Sequence, residues 1–385
     1  MNQFDEIKAF VTNQKESMLA LWKQIVNTES GPDQIDGVNR VGNILSNEMG
    51  KAGCTVHRVK VLNAGDMVIG EWNTDVKQPP VVLMGHIDTV FTPGAAQKNP
   101  FRIDDKGFAH GPGVADMKGG DVIALYVLKA LQQTGYKKRP IRLVFVPDEE
   151  TLHMRSDGKA RIAEAVKDAA AVFNFEPAPA KGKVVVGRYG GGPVSIRVHG
   201  IAAHSGGAPE KGRSAILEAA HKILALEAAN DIPRGKLINC GAVEGGIGEN
   251  TIPAECLIRI GIRFRTAAIG KEIFTLLDRV TKEHTVPDTT AELDISHTIP
   301  CMDTTEAVKK LFACVQETAR DGGMGELEGI QVGGLSDAGI PIQAGIPTLC
   351  GMGVVGTGAH TYEEAADVAS LTEKCILAAA SICRL

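Results

Sequence analysis

The sequence has no Cys-x-x-Cys pair: its eight cysteines (Cys54, Cys240, Cys256, Cys301, Cys314, Cys350, Cys375 and Cys383) are scattered over 385 residues. That spacing is typical of buried, reduced thiols and argues against both a disulfide framework and a zinc knuckle. Any metal site must therefore rest on His, Asp and Glu. Runs of one charge are also missing. Lys and Arg number 41 against 46 Asp and Glu, a net charge of −5, so no basic face for nucleic acid or an anionic membrane is expected. No segment supplies the roughly 18 consecutive apolar residues of a membrane span. The start, Met1-Asn2-Gln3-Phe4-Asp5-Glu6, lacks the basic and apolar regions of a signal peptide, so a cytoplasmic protein is expected. There is no internal repeat and no low-complexity linker.

What is present is enough apolar sequence, 44%, for an ordinary globular core. The chain is longer than one core usually serves, so two domains are expected. Residues 4–26 show helical spacing of Phe4, Ile7, Phe10, Val11, Met18, Leu21, Trp22 and Ile25, and a second helix is expected over 36–51. Strands at 55–61 and 66–72 lead to Val81-Val82-Leu83-Met84-Gly85-His86-Ile87-Asp88-Thr89-Val90, an apolar, β-branched run of the kind buried on both faces of a parallel sheet. Further apolar strands at 141–146 and 170–175 alternate with helices at 122–131 and 161–166. This order predicts a largely parallel α/β sheet. From about residue 184 to 300, paired strands alternate with single helices (213–226 and 271–283), which predicts a small α+β sandwich inserted into the larger domain. The expected division is 1–183, 184–300 and 301–385, the first and last parts forming one domain.

Polar residues sit where this pattern ends its strands. His86 and Asp88 follow one strand, Glu149 and Glu150 another, Glu176 a third, and Asp116 lies in a Gly-rich loop before a helix. His86 and Asp88, two positions apart, point to one side, so Asp88 can steady a metal-binding His86. In open α/β sheets the ligand crevice lies beyond the carboxyl ends of the strands, where these acids converge. His360 in Gly358-Ala359-His360 is a further candidate. Taken singly each has an ordinary reading: a hydrogen-bonded core histidine, a solvated strand exit, a helix cap, a loop acid, a surface histidine. Together, two histidines and several carboxylates without sulfur suit a divalent ion, with zinc favoured by the imidazoles. So many converging acids would repel one another without cations.

His86-x-Asp88, the loop Asp116-Met117-Lys118-Gly119-Gly120, Asp148-Glu149-Glu150, Phe175-Glu176-Pro177 and Gly358-Ala359-His360 together resemble the M20 metallopeptidases, in particular their carboxypeptidase G2 (glutamate carboxypeptidase) branch. The resemblance implies a di-zinc aminopeptidase/carboxypeptidase-like α/β catalytic domain and an inserted dimerisation domain. It implies two Zn²⁺ per subunit, with Co²⁺ or Mn²⁺ as alternatives: one held by His86, Asp116 and Glu176, the other by Asp116, Glu150 and His360. Glu149 would be the general base and Asp88 the partner of the His86 ring. A cis peptide at Asp116-Met117 is also implied. In the inserted domain, His199-Gly200-x-Ala202-Ala203-His204-Ser205-Gly206 is similar to the family segment whose histidine reaches the partner subunit's active site. His204 is thus implied to stabilise an oxyanion, while Asn250 and Arg263 are implied to grip a substrate carboxylate, for which an Arg fork is geometrically suited. One departure stands out: the family follows its glutamate pair with a Gly-Ser turn, whereas here Thr151-Leu152-His153-Met154-Arg155 follows.

The expected activity is hydrolysis of an amide next to a free-carboxylate amino acid, most readily a C-terminal glutamate, in a small peptide or N-acyl amino acid, by a homodimer. An N-acyl-amino-acid deacylase of the acetylornithine or succinyl-diaminopimelate type is the alternative, and a metal-free binding relative is the non-enzyme one. Gly351-Met352-Gly353-Val354-Val355-Gly356 has the spacing of a dinucleotide loop, but no apolar helix follows it. Gly334-Leu335-Ser336-Asp337-Ala338-Gly339 has the wrong spacing for a nucleophile elbow.

Overall fold

Apolar residues recurring on one face form the first helices. In the computed structural model, which describes residues 2–385, the periodic N-terminal stretch makes two helices, Gln3–Asn13 and Lys15–Val26, rather than one continuous one. Gln14 at the join keeps helical backbone angles, and no Pro or Gly marks it. The two helices bury Ile7, Val11, Met18, Leu21, Trp22 and Ile25. Helix Ile35–Lys51 follows.

By the density of its internal contacts the chain forms two compact units. The first comprises Met1–Gly187, Thr304–Val332 and Ile340–Leu385, and the second comprises Arg188–Asp303 and Gly333–Gly339. The first unit is built on a six-stranded sheet in the order Thr55–Val59, Met67–Trp72, Ile141–Val146, Val81–His86, Ala171–Asn174, Thr348–Leu349. Its last four strands are mutually parallel, whereas Met67–Trp72 runs antiparallel to both its neighbours. The sheet is thus mixed, with a parallel centre. Val81–His86 lies in that centre and is buried at every position. Val82 and Met84 pack with Val144, Val146, Ile162, Val172 and Ile340, and burying side chains of this size stabilises the fold by about 1.5–3 kcal/mol each. The strand ends at His86, earlier than the apolar run suggests, although the N–H of Ile87 still donates to Val146 O at 2.8 Å. Helix Gly119–Gln133, apolar almost all round, is buried at twelve positions, as a helix between layers must be. The strand Lys183–Arg188 pairs with Glu328–Val332.

The second unit carries a four-stranded antiparallel sheet in the order Lys236–Gly245, Glu255–Phe264, Gly190–His199, Thr290–Asp294. Val194, Ile196, Val198, Ile258, Ile260 and Ile262 alternate onto one face and form a core with Ala215, Ala219, Leu226, Ile273 and Leu277 of the helices Ala215–Glu227 and Ala267–Lys282. The intervening side chains, including Arg197 and Arg259, face the other way, which is the period of two expected of a half-buried strand. Ser214 and Thr266 cap the two helices, accepting from Leu217 N and Ile269 N. Among the described residues no helix is long and apolar enough to cross a membrane.

Candidate active site

Parallel pairing brings the carboxyl ends of three central strands to one edge of the first unit. His86 closes Val81–His86. Ile141–Val146 runs through Pro147 and Asp148 into the short turn Glu149–Thr151, and Ala171–Asn174 runs through Phe175 into Glu176. Asp116 lies in the irregular segment Val114–Lys118 just ahead of helix Gly119–Gln133, and the Asp116-Met117 peptide is cis. The start of that helix abuts the Glu176 loop. A Cβ on Gly120 would lie 1.9 Å from the Phe175 carbonyl oxygen, so only glycine lets the two backbones approach so closely.

The side chains so placed meet. His86 Nε2 is 3.2 Å from Asp116 Oδ1, 3.8 Å from Glu176 Oε1 and 3.9 Å from Glu149 Oε2. The other Asp116 oxygen, Oδ2, is 3.4 Å from His360 Nε2, which in turn is 3.1 Å from Glu150 Oε2. Two donor groups result, His86–Asp116–Glu176 and Asp116–Glu150–His360, each with its ligand atoms within 4.8 Å of one another. Asp116 belongs to both. Its two oxygens face different imidazoles, which is the geometry a carboxylate bridging two cations requires. Two imidazoles with oxygen donors and no thiolate suit a divalent ion such as zinc.

Asp88 performs two tasks. His86 Nδ1 is 3.3 Å from Asp88 Oδ1 and 3.2 Å from the Asp88 carbonyl, so the ring's second nitrogen has an acceptor that fixes its tautomer and leaves Nε2 facing the acids. The same carboxylate accepts from the backbone N–H groups of Glu149 at 3.2 Å and Glu150 at 3.0 Å. One acid thereby holds the His86 ring and the glutamate pair in register.

The electrostatics show what this cluster is short of. Burial pushes the His86 imidazole toward the neutral form, but Asp116, Asp88, Glu149 and Glu176 outweigh it and raise its pKa well above the usual value. Asp116 and Glu150 beside His360 raise that imidazole to about 10. Burial alone would raise Asp116, yet His360 and His86 hold it below the carboxylate range. Glu150 is raised, chiefly by burial and also by Asp116, against the opposing pull of His360. The two imidazoles are the positive charges set against Asp116 and Glu150, and a divalent cation at each donor group would take over that role and release their protons.

The unusual segment after the glutamate pair is ordered by its own network. Leu152 and His153 both adopt left-handed backbone angles (φ 53° and 55°), a region that glycine enters more readily. The His153 ring lies 2.9 Å from Asp148 Oδ1, while the Ser156 hydroxyl donates to Asp148 Oδ2. Gly158 makes room, since a Cβ there would lie 2.4 Å from His153 Nδ1. Asp148 and His153 were not singled out as a pair by the sequence reading. The signal available was a histidine five residues after an acid, in place of the family's small residues.

In the second unit, His204 and Asn250 are neighbours. His204 pairs with Thr251 in the short ladder Ala203–His204 with Thr251–Ile252, and Ser205 N donates to Asn250 O at 3.0 Å. Arg263 is not with them. It lies near the far end of strand Glu255–Phe264, eight positions or about 26 Å from Glu255, and burial lowers its pKa.

The family model described as peptidase family M20/M25/M40 matches residues 82–383. Carboxypeptidase G2 of Pseudomonas sp. (strain RS-16) is 30% identical over 377 residues, covering 96% of this chain and 89% of that protein. An indole-3-acetyl-aspartic acid hydrolase of Enterobacter agglomerans is 32% identical over 185 residues, 46% of this chain and 42% of its own length. The crystal structure of aminopeptidase PepT from Bacillus cereus ATCC 10987 superposes with a TM-score of 0.74 at 22% identity, covering 96% of this chain and 98% of that one. The fold and the acid-rich strand ends define a metallohydrolase of the α/β class. The chain belongs to the M20/M25/M40 peptidase family and is an enzyme of that family, a hydrolase with homology to carboxypeptidase G2.

Proposed function

We propose that the protein is a zinc-dependent carboxypeptidase that hydrolyses an amide whose amine side is an acidic amino acid, with C-terminal glutamate preferred. The observation that carries this reading is the placement of Asp116 between His86–Glu176 on one side and Glu150–His360 on the other, with the Glu149 carboxylate 3.9 Å from His86 Nε2. His86, Asp116 and Glu176 would hold one divalent cation and Asp116, Glu150 and His360 another, and such ions would supply Lewis acidity toward the scissile carbonyl and a water.

The chain's own residues do the rest. Glu149 takes the proton from the attacking water and returns it to the leaving amine, and its backbone is held for that task by Asp88. Asp88 also keeps the His86 ring turned toward the acids. In the second unit, Arg263 offers a guanidinium fork and Asn250 an amide to the substrate carboxylate, and His204 offers a hydrogen bond to the developing oxyanion. The protein acts in this reading as a homodimer. Exposed apolar residues on helix Ala215–Glu227 support that assembly: Leu217 and Leu224, seven positions apart on one face, are 52% and 69% exposed. The acidic product side of the indole-3-acetyl-aspartic acid hydrolase and the near full-length similarity to carboxypeptidase G2 support the substrate class.

The test is a hydrolysis panel of acyl- and folyl-glutamates against acetylornithine, run on wild type and Glu149→Ala in zinc buffer, with light scattering for the oligomeric state. Acyl-glutamates turning out the poor substrates would overturn the glutamate preference in favour of a deacylase.

A further inference from the structure

One buried carboxylate has no part in the chemistry above. Glu364 is 1% exposed and follows His360 by four residues. Its partners are three backbone N–H groups: Oε1 accepts from Ala115 at 2.7 Å and Asp116 at 2.9 Å, and Oε2 accepts from Gly113 at 2.9 Å. These N–H groups point into one concavity because Gly113 is left-handed (φ 71°), the kind of backbone nest that normally receives an anion. Here the acceptor is the carboxyl group of the protein's own side chain, supplied from 248 residues further along the chain.

The other end of the contact is equally fixed. Between Gly358 and Glu364 the chain makes a closed turn, with Thr361 N and its hydroxyl both donating to Gly358 O at 3.1 and 2.7 Å, and Glu364 N donating to Thr361 O at 3.2 Å. The next residues, Ala365–Asp367, are locked into an antiparallel ladder with Phe108–His110. His360 and Glu364 are therefore presented by a single stiff segment. His86 and Glu176, in contrast, are placed by the central strands without it.

We propose that Glu364 is a positioning residue of the metal centre: its carboxylate fastens the Asp116 loop to the turn bearing His360 and presets the Asp116–Glu150–His360 group for a cation. The proposal rests on the two-metal reading and makes an asymmetric demand. Asp116 is common to both donor groups but His360 sits on the Glu364 turn, so loss of the carboxylate should weaken the group that contains His360 more than the His86–Asp116–Glu176 group.

The experiment is zinc titration of the metal-free protein against a chromophoric chelator, with thermal melting of each variant alongside. Wild type taking up fewer than two zinc ions would sink the two-metal reading itself. With two bound, Glu364→Gln, which keeps shape but sets an amide donor against a backbone donor, is expected to lose about 10–100-fold in affinity at one site. The second site, which shares Asp116 but not His360, should lose clearly less, and on a His360→Ala background the same substitution should add no further loss at the site that has lost His360. Unchanged affinity at both sites, or an equal loss at both, overturns the proposal. Should Glu364→Gln fail to fold, Glu364→Asp decides. It keeps the carboxyl group but is one methylene short, so a smaller loss at one site supports the proposal and wild-type affinity at both overturns it.

Discussion

Each unit of the molecule buries charge, and they do so in opposite ways. In the second unit, Glu218 and Lys222 are 1% and 2% exposed, lie 2.9 Å apart one helical turn from each other, and satisfy themselves. Lys222 Nζ donates to Val280 O and Glu283 O, both at 2.7 Å, and Glu218 accepts from Thr285 N and Val286 N at 2.9 and 2.7 Å. Each charge meets its opposite and also ties down the segment leaving helix Ala267–Lys282. In the first unit, Asp116, Glu149, Glu150 and Glu176 converge on two imidazoles, which are cationic only when protonated. A buried pair that closes its own electrostatics reads as architecture. A buried cluster whose acids outnumber its cations reads as a place built for an ion from outside.

The largest test of this contrast removes the base. Glu149→Ala should lower the turnover number by about 10²–10⁴-fold while zinc uptake and melting temperature stay near wild type. A comparable loss of zinc would move Glu149 from proton carrier to ligand. Next comes the ion itself. Chelation should abolish hydrolysis and lower the melting temperature, because an ion held at a thousand times its dissociation constant stabilises the native state by about 4 kcal/mol. If chelated protein melts as high as loaded protein, the first unit is as self-sufficient as the second and the contrast fails.

The same comparison predicts the reverse for the second unit. Lys222→Met strands Glu218 in the interior and uncaps the carbonyls of Val280 and Glu283, so it should destabilise by about 3 kcal/mol without altering zinc affinity. Replacing both partners with apolar residues should not restore stability, since the N–H groups of Thr285 and Val286 would also lose their acceptor. Denaturant unfolding of the single and double variants checks both statements.

How much of this was legible in the sequence follows from the range over which each contact acts. Apolar, β-branched runs ending in polar residues mark His86, Glu149, Glu150 and Glu176 as strand-end groups, and parallel pairing then brings those ends together. The contacts that hold the site in register left no such trace. Glu364 reaches backbone N–H groups about 250 residues away, and Asp88 reaches those of Glu149 and Glu150. A backbone partner carries no residue type, so no motif advertises it. Lys222 looks like a solvated lysine until the helix is seen to turn it toward carbonyls of a neighbouring helix end. The join at Gln14 was hidden for a similar reason, since neither a proline nor a glycine interrupts the apolar period there.

The smallest expected effect concerns acid. Burial works to raise the Glu218 carboxyl, but the N–H of Val286 and the ammonium of Lys222 outweigh it and hold its pKa below the ordinary 4.5. A carboxyl depressed on folding contributes stability that is fully present above its unfolded pKa and is lost as pH falls through the folded one. The stability gap between wild type and Glu218→Gln should therefore be constant from neutral pH down to about 5 and narrow only below 4.5, the ordinary value for this carboxyl. Melting both proteins in chelator removes the metal centre as a source of difference, so its own acid sensitivity cancels between them. A gap that closes already near pH 6 would mean that Glu218 is not the group whose charge the second unit depends on, and the contrast between the two buried clusters would have to be redrawn around another residue.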